Sequence, residues 1–349
     1  MSRLPRAHLV VAFWAFAVLG MPARAAPSAT MLSFQDLAGW AESDQGAALS
    51  VFLTTCGIPR DPEGRALCRI ARDQALPNRT ARAFFETFFR PVLIGGEDAA
   101  RFTGYFEPEL AGALAPDDRY RFPVYALPPD LPTDGQGPTR AEIDGGALAD
   151  RGLEIAWVDD PVDLFFLQIQ GSGRIHLPDG NVLRLGFAGH NGHPYQSVGE
   201  ELVRRGVFQP HEASAAMIRS WVRDNPDEGR ELLQHNASYV FFRMIEGLPS
   251  RAGPIGAMNR SLTPRRSIAV DPAYVPLGAP VWVEKAGDAP FERLMIAQDT
   301  GSAIKGPQRA DIFFGTGNAA GRQAGRVRDG GRMVVLLPIQ RAYAMAEGN

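Results

Sequence analysis

Strand-like segments that stop, give way to helices and then resume constrain this chain more than any other feature. From Phe102 onward the sequence runs in short alternating or continuous apolar stretches broken by Gly and Pro: FTGYFEPEL, RFPVYALPPDLP and LEIAWVDDPVDLFFLQIQGSGRIHLPDGNVLRL. Runs of this kind, bounded by turn residues, predict strands. The LPDG at residues 177–180 predicts a hairpin, because Asp-Gly accepts the positive φ of a tight turn. Across residues 196–236 the period becomes helical in SVGEELVRRG, EASAAMIRSWVRD and DEGRELLQHN. Beyond Tyr239 strands return as SYVFFRMI, RSIAV, APVWVE, RLMIAQ, ADIFFG and RMVVLLP. A β structure that is interrupted and resumed predicts a barrel broken by an inserted domain. At 349 residues the chain has length for two cores. LPPDLPTDGQGP, residues 127–138, reads as a surface loop.

The segment before Phe102 has helical periodicity. SFQDLAGWAESD opens with Ser33 and Asp36 at capping-box spacing, TARAFFETFF repeats apolar residues one turn apart, and Pro59 and Pro91 punctuate the run. Residues 1–25 read as a signal peptide: Arg3 and Arg6, an apolar run from Leu9 to Met21, and Ala23-Arg24-Ala25 as cleavage site. That run is shorter than the roughly 20 residues a spanning helix needs. Its removal shifts the net charge from −3 to −6. No run of like charge marks a nucleic-acid footprint. The only cysteines, Cys56 and Cys68, are expected to pair in an oxidising compartment.

Three aspartates sit where an apolar run meets a turn: Asp271 in SIAVDPAYVPLG, Asp299 in LMIAQDTG and Asp311 in RADIFFGTG. Such strand ends present side chains at clefts. Asp271, before Pro272, also suits a turn. The apolar flanks of Asp311 favour a raised pKa and hence a general acid. An aspartic-protease dyad needs two equivalent loops, and only one Asp-Thr-Gly is present. Glycosidic cleavage fits better, since it asks for one proton donor beside a polar, aromatic groove. Gln168, Gln170 and Ser172 alternate along an expected strand and would share a face. Tyr105, Tyr195, Asn236 and Tyr239 are further groove candidates beside turns. His190 and His193 lack the helical context and third ligand of a metal site, GTGNAAG has the wrong spacing for a dinucleotide loop, and no cofactor is expected.

FTGYFEP, FFLQIQGSGRI, GHNGHPYQSVG, NASYVFF, VDPAYVPLG, QDTGSAIKG and ADIFFG together resemble, in order, the membrane-bound lytic murein transglycosylase A family. The last part resembles a three-aspartate domain. The resemblance implies a double-psi β-barrel, made of residues 26–103 and 241–343 with the N-terminal helices, interrupted by a β-rich glycan-binding domain at 104–240. It implies cleavage of the β-1,4 bond between N-acetylmuramic acid and N-acetylglucosamine in peptidoglycan, leaving 1,6-anhydromuramyl ends. Asp311 matches the family's acid, with Asp299 in support. Competing readings are a hydrolase using both aspartates and a non-catalytic glycan-binding module. The expected setting is the periplasm of a Gram-negative bacterium, as a monomer acting on glycan strands beside other cell-wall enzymes. No lipid-attachment cysteine follows VLGMPARA, where the family name promises an anchor.

Overall fold

The computed structural model describes residues 28–58, 61–73, 78–96, 100–132 and 135–347; the expected signal peptide and Pro59 lie outside them. The chain starts with β1 (Ala29–Met31), and the Asp36 carboxylate accepts from both the backbone N–H and the hydroxyl of Ser33, completing the capping box. Helices α1 (Gln45–Thr55), α2 (Pro62–Asp73) and α3 (Asn78–Phe88) follow. Phe52, Phe84, Phe85 and Phe89 interlock at the centre of this layer, which packs on Trp282, Leu294, Ile296 and Val334 of the sheet behind it. Cys56, capping α1, is bonded to Cys68 of α2. The helix α3 runs directly into β2 (Phe89–Ile94), so Pro91 lies inside a strand. Then comes β3 (Arg101–Glu107), which continues in one sheet across the expected boundary at residue 103.

The middle of the chain builds a six-stranded sheet from β4 (Glu109–Ala113), β5 (Phe122–Tyr125), β6 (Glu154–Val158), β7 (Ser172–His176), β8 (Val182–His190) and β9 (Val240–Met244), in the order β5-β6-β4-β7-β8-β9. An isolated bridge between Ala126 and Phe242 brings its two ends together. Helices α4 (Arg140–Glu142), α5 (Pro161–Gln170), α6 (Val198–Arg204), α7 (Ala215–Asp224) and α8 (Pro226–His235) accompany it. The β7–β8 hairpin turns at Gly180 with φ 85°, as LPDG predicts.

Helix α5 corrects the strand expected over LFFLQIQ. The Asp160 carboxylate accepts from the N–H groups of Val162 and Asp163, Pro161 occupies the first turn, and Gly171 ends the helix at φ 73°. Capping thus starts and stops a buried helix here, and apolar content alone does not separate it from a strand. Gln168 and Gln170 are helical and Ser172 opens β7, so the three do not alternate along one strand face.

The last third supplies β10 (Ser267–Val270), β11 (Pro280–Lys285), β12 (Phe291–Asp299), β13 (Arg309–Thr316), α9 (Gly317–Ala324), β14 (Arg328–Asp329), β15 (Gly331–Pro338) and α10 (Ile339–Glu347). These strands join the early ones in a nine-stranded sheet, β1-β2-β15-β11-β12-β10-β13-β3-β14. Its pairs β10–β12 and β13–β3 are parallel. Among the described residues no ladder joins its two end strands. The architecture is a mixed α+β fold with N-terminal helices and two β-rich regions.

Candidate active site

Strand register assembles the site. Asp311 on β13 lies opposite Thr103 of β3 on one side and Ala269 of β10 on the other; Ala269 in turn lies opposite Asp299 of β12. Residues directly opposed across a sheet share a face, so Thr103, Asp311, Ala269 and Asp299 form one row. The β10–β12 register shifts after Ile268, which pairs with Ala297, so that Asp299 rather than Gln298 faces Ala269. A bulge of this kind re-aims a side chain. Gln298 is turned inward and buried, where its amide oxygen accepts from the Ser267 hydroxyl. Ala269, between the two carboxylates in this row, packs in a small buried apolar cluster with Tyr105, Leu262, Ile304 and Phe313.

Each aspartate has its own partners. The Thr103 hydroxyl donates to Asp311 Oδ1 at 2.7 Å, and the Arg309 guanidinium donates to Thr103 Oγ1 at 2.8 Å. Asp299 accepts from the Tyr105 hydroxyl at 2.9 Å and from the Ala257 N–H at 2.9 Å. The Tyr105 ring stacks at 5.3 Å on Phe313, two residues beyond Asp311 on the same face.

Burial sets the electrostatics. It pushes the Asp311 carboxyl up to about 6, helped by the charge of Asp299 and opposed by the Thr103 hydrogen bond and the Arg309 cation. Burial raises Asp299 too, against the stabilising N–H groups of Ala257 and Thr300 and the Tyr105 hydroxyl. The Tyr105 phenol is held well above its ordinary range by burial and by Asp299, so it stays a donor. A carboxyl with a pKa of about 6 gives up and recovers a proton near neutral pH.

Of the expected groove residues, only Tyr105 joins this pair. Asp271 is 6% exposed and binds its own loop, accepting from the N–H groups of Ala273 and Gly306. Gln170 accepts from the Phe106 N–H and ties α5 to β3. Asn236 accepts from the N–H groups of Gln196 and Ser238. Tyr239 is buried against Tyr125 and Phe241, Gln168 and Ser172 are buried, and Tyr195 alone stands exposed, at 40%. Thr103 and Arg309 are neighbours of Asp311 in the candidate site that the sequence did not reveal. The T-x-Y alternation in FTGYFEP was the available signal, but its partner strand is more than two hundred residues away.

Two family models match the chain: an MltA specific insert domain over residues 101–243 and a 3D domain over residues 266–337. The membrane-bound lytic murein transglycosylase A of Vibrio cholerae is 36% identical over 270 residues, covering 72% of this chain and 71% of that protein. Its counterpart in Escherichia coli K12 is 37% identical over 247 residues, covering 68% and 65%. Among solved structures, a membrane-bound lytic murein transglycosylase from Agrobacterium tumefaciens is 35% identical with a TM-score of 0.80, covering 91% of this chain and 99% of that one. Escherichia coli MltA with bound chitohexaose is 28% identical with a TM-score of 0.72, covering 89% and 94%. This chain therefore belongs to the membrane-bound lytic murein transglycosylase A family.

Proposed function

We propose that this lytic transglycosylase of peptidoglycan works through Asp311 as its single acid and base, at the bond between N-acetylmuramic acid and N-acetylglucosamine. The observation that carries the assignment is a partly buried carboxyl with a pKa of about 6, in one strand-register row with Asp299. Protonated Asp311 gives its proton to the glycosidic oxygen as the bond from muramyl C1 breaks and positive charge develops on the sugar. The muramyl 6-hydroxyl oxygen then closes onto C1, and its proton passes to the Asp311 carboxylate. The acid is restored, no water is consumed and a 1,6-anhydro end remains. Asp299, pinned by Tyr105 and Ala257, keeps a negative charge near Asp311, raising its pKa and stabilising the developing cation.

We read the nine-stranded region as the double-psi barrel that the family implies, and the family matches at 101–243 and 266–337 support an inserted domain between its halves. The glycan strand is bound along the face that carries Thr103, Asp311 and Asp299. We place the mature protein in the periplasm as a monomer, beside other cell-wall enzymes. Both cysteines are engaged in the disulfide, which leaves neither for lipid attachment. Mass analysis of the muropeptides released from purified sacculi tests the reaction. The transglycosylase gives muramyl ends lighter by one water than hydrolysis does. Reducing muramyl ends would establish the hydrolase, and no release would leave a binding module.

A further inference from the structure

We propose that Arg309 is a positioning residue of this reaction: it fixes the direction of the Thr103 hydroxyl, so that Oδ1 of Asp311 accepts a hydrogen bond and the transferable proton is held on Oδ2. The inference rests on Asp311 being the acid. Arginine carries only donors, whereas a threonine hydroxyl has one proton to give and lone pairs that accept. In the contact between Arg309 Nη2 and Thr103 Oγ1, 2.8 Å long, the guanidinium must therefore donate. The Thr103 proton is driven away from Arg309, and Asp311 Oδ1 lies 2.7 Å off to receive it.

The relay is rigid because the guanidinium is itself tied down. Arg309 Nη1 donates to the Ala310 carbonyl at 2.6 Å and to the Arg101 carbonyl at 3.3 Å. The parallel β13–β3 register, Arg309 opposite Arg101 and Asp311 opposite Thr103, puts all four residues on one face. A carboxylic acid free to carry its proton on either oxygen is correctly protonated only part of the time. A fixed donor at Oδ1 removes that ambiguity.

A double-mutant cycle on sacculi digestion, with kcat, KM and the pH profile read for each folded variant, tests the relay. Thr103→Val and Arg309→Met should each lower kcat on the order of tenfold, the worth of one lost orienting hydrogen bond, with KM little changed. If Arg309 acts through Thr103, the double variant is no worse than Thr103→Val alone, and Thr103→Ser stays close to wild type. The titratable and charged groups beside Asp311 are Asp299 from β12, Tyr105 from β3 and Arg309 on its own strand, with Arg101 of β3 opposite Arg309. Arg309 and Thr103 both favour the ionised form. The alkaline limb should therefore move upward in Arg309→Met. Arg309→Lys, which keeps the charge and is the milder change for folding, should hold the limb in place while kcat falls.

Losses that multiply in the double variant, a raised KM with unchanged kcat, or wild-type kinetics in Arg309→Met would each overturn the relay. Asp311→Asn, run beside them, separates the two readings. If it keeps wild-type turnover, the acid assignment itself fails; if it is inactive while the cycle is additive, only the relay does.

Discussion

One face of β3 serves two carboxylate centres that face opposite fates. Thr103 and Tyr105 reach Asp311 and Asp299; two residues further, Glu107 points the same way and is wholly buried. Around Glu107, Arg174 and Arg184 each donate at 2.9 Å, and the Thr316 hydroxyl adds a bond of 2.7 Å. Arg174 also holds the carbonyls of Ser250 and Ala252, and Arg184 that of Pro249. Since Arg174 belongs to β7 and Arg184 to β8, this cluster locks the six-stranded sheet onto the strand that carries the active site. Asp311 receives one hydroxyl, the backbone N–H of Ile312, a cation one hydrogen bond removed, and the repulsion of Asp299. Burial does not by itself make a carboxyl an acid. Where two guanidinium groups answer one carboxylate the result is a fastener, and where compensation is incomplete the proton is held until a substrate needs it.

The comparison can be broken most forcefully at Asp311. Asp311→Asn keeps the shape without the proton, so turnover on sacculi should fall 10²- to 10⁴-fold, on the order of a lost general acid, with chitin-oligomer binding retained. Wild-type turnover in that variant would remove the distinction drawn here. Glu107→Gln should leave turnover less affected but cost roughly 3–5 kcal/mol of stability, because it takes the buried negative charge away from two largely buried guanidinium groups. A denaturant midpoint unchanged from wild type would show that the fastener is ornamental.

Asp311→Asn and Glu107→Gln should also differ in the sign of their effect on stability. A raised folded-state pKa means that the native protein holds a proton the unfolded chain has released. The stability linked to Asp311 is therefore present below the ordinary carboxyl range and lost as pH rises through about 6. Asp311→Asn should accordingly melt at or above wild type at pH 7.5, and any such advantage should fade toward pH 4, roughly the unperturbed Asp pKa. Smaller still is the effect of Asp299→Asn. It should leave measurable activity and move the alkaline limb of the rate profile downward, because losing a neighbouring negative charge eases ionisation of Asp311. An upward shift would mean that Asp299 acts on Asp311 by some route other than charge.

The strands of the large sheet were legible because SIAV, PVWVE and VVLLP are buried on both faces and bounded by turn residues. The capping box at Ser33 and the Asp179-Gly180 hairpin were legible because they are local. Helix α5 was missed although Asp160-Pro161 and Gly171 marked both its ends; the apolar run between them outweighed the caps. The row Thr103, Asp311, Ala269, Asp299 was beyond reach, since it depends on a β-bulge and on parallel pairing between distant segments. The groove candidates Gln168, Ser172, Asn236 and Tyr239 show a further limit: polarity is visible in a sequence, but that all four are buried is not.

Titration of the Asp311 side-chain carboxyl by ¹³C NMR in the resting protein, assigned by its loss in Asp311→Asn, tests the central claim most directly. The expected midpoint is about 6, moving downward in Asp299→Asn. A midpoint near the unperturbed value of roughly 4 would contradict it, because a carboxyl ionised throughout the neutral range has no proton to give the glycosidic oxygen.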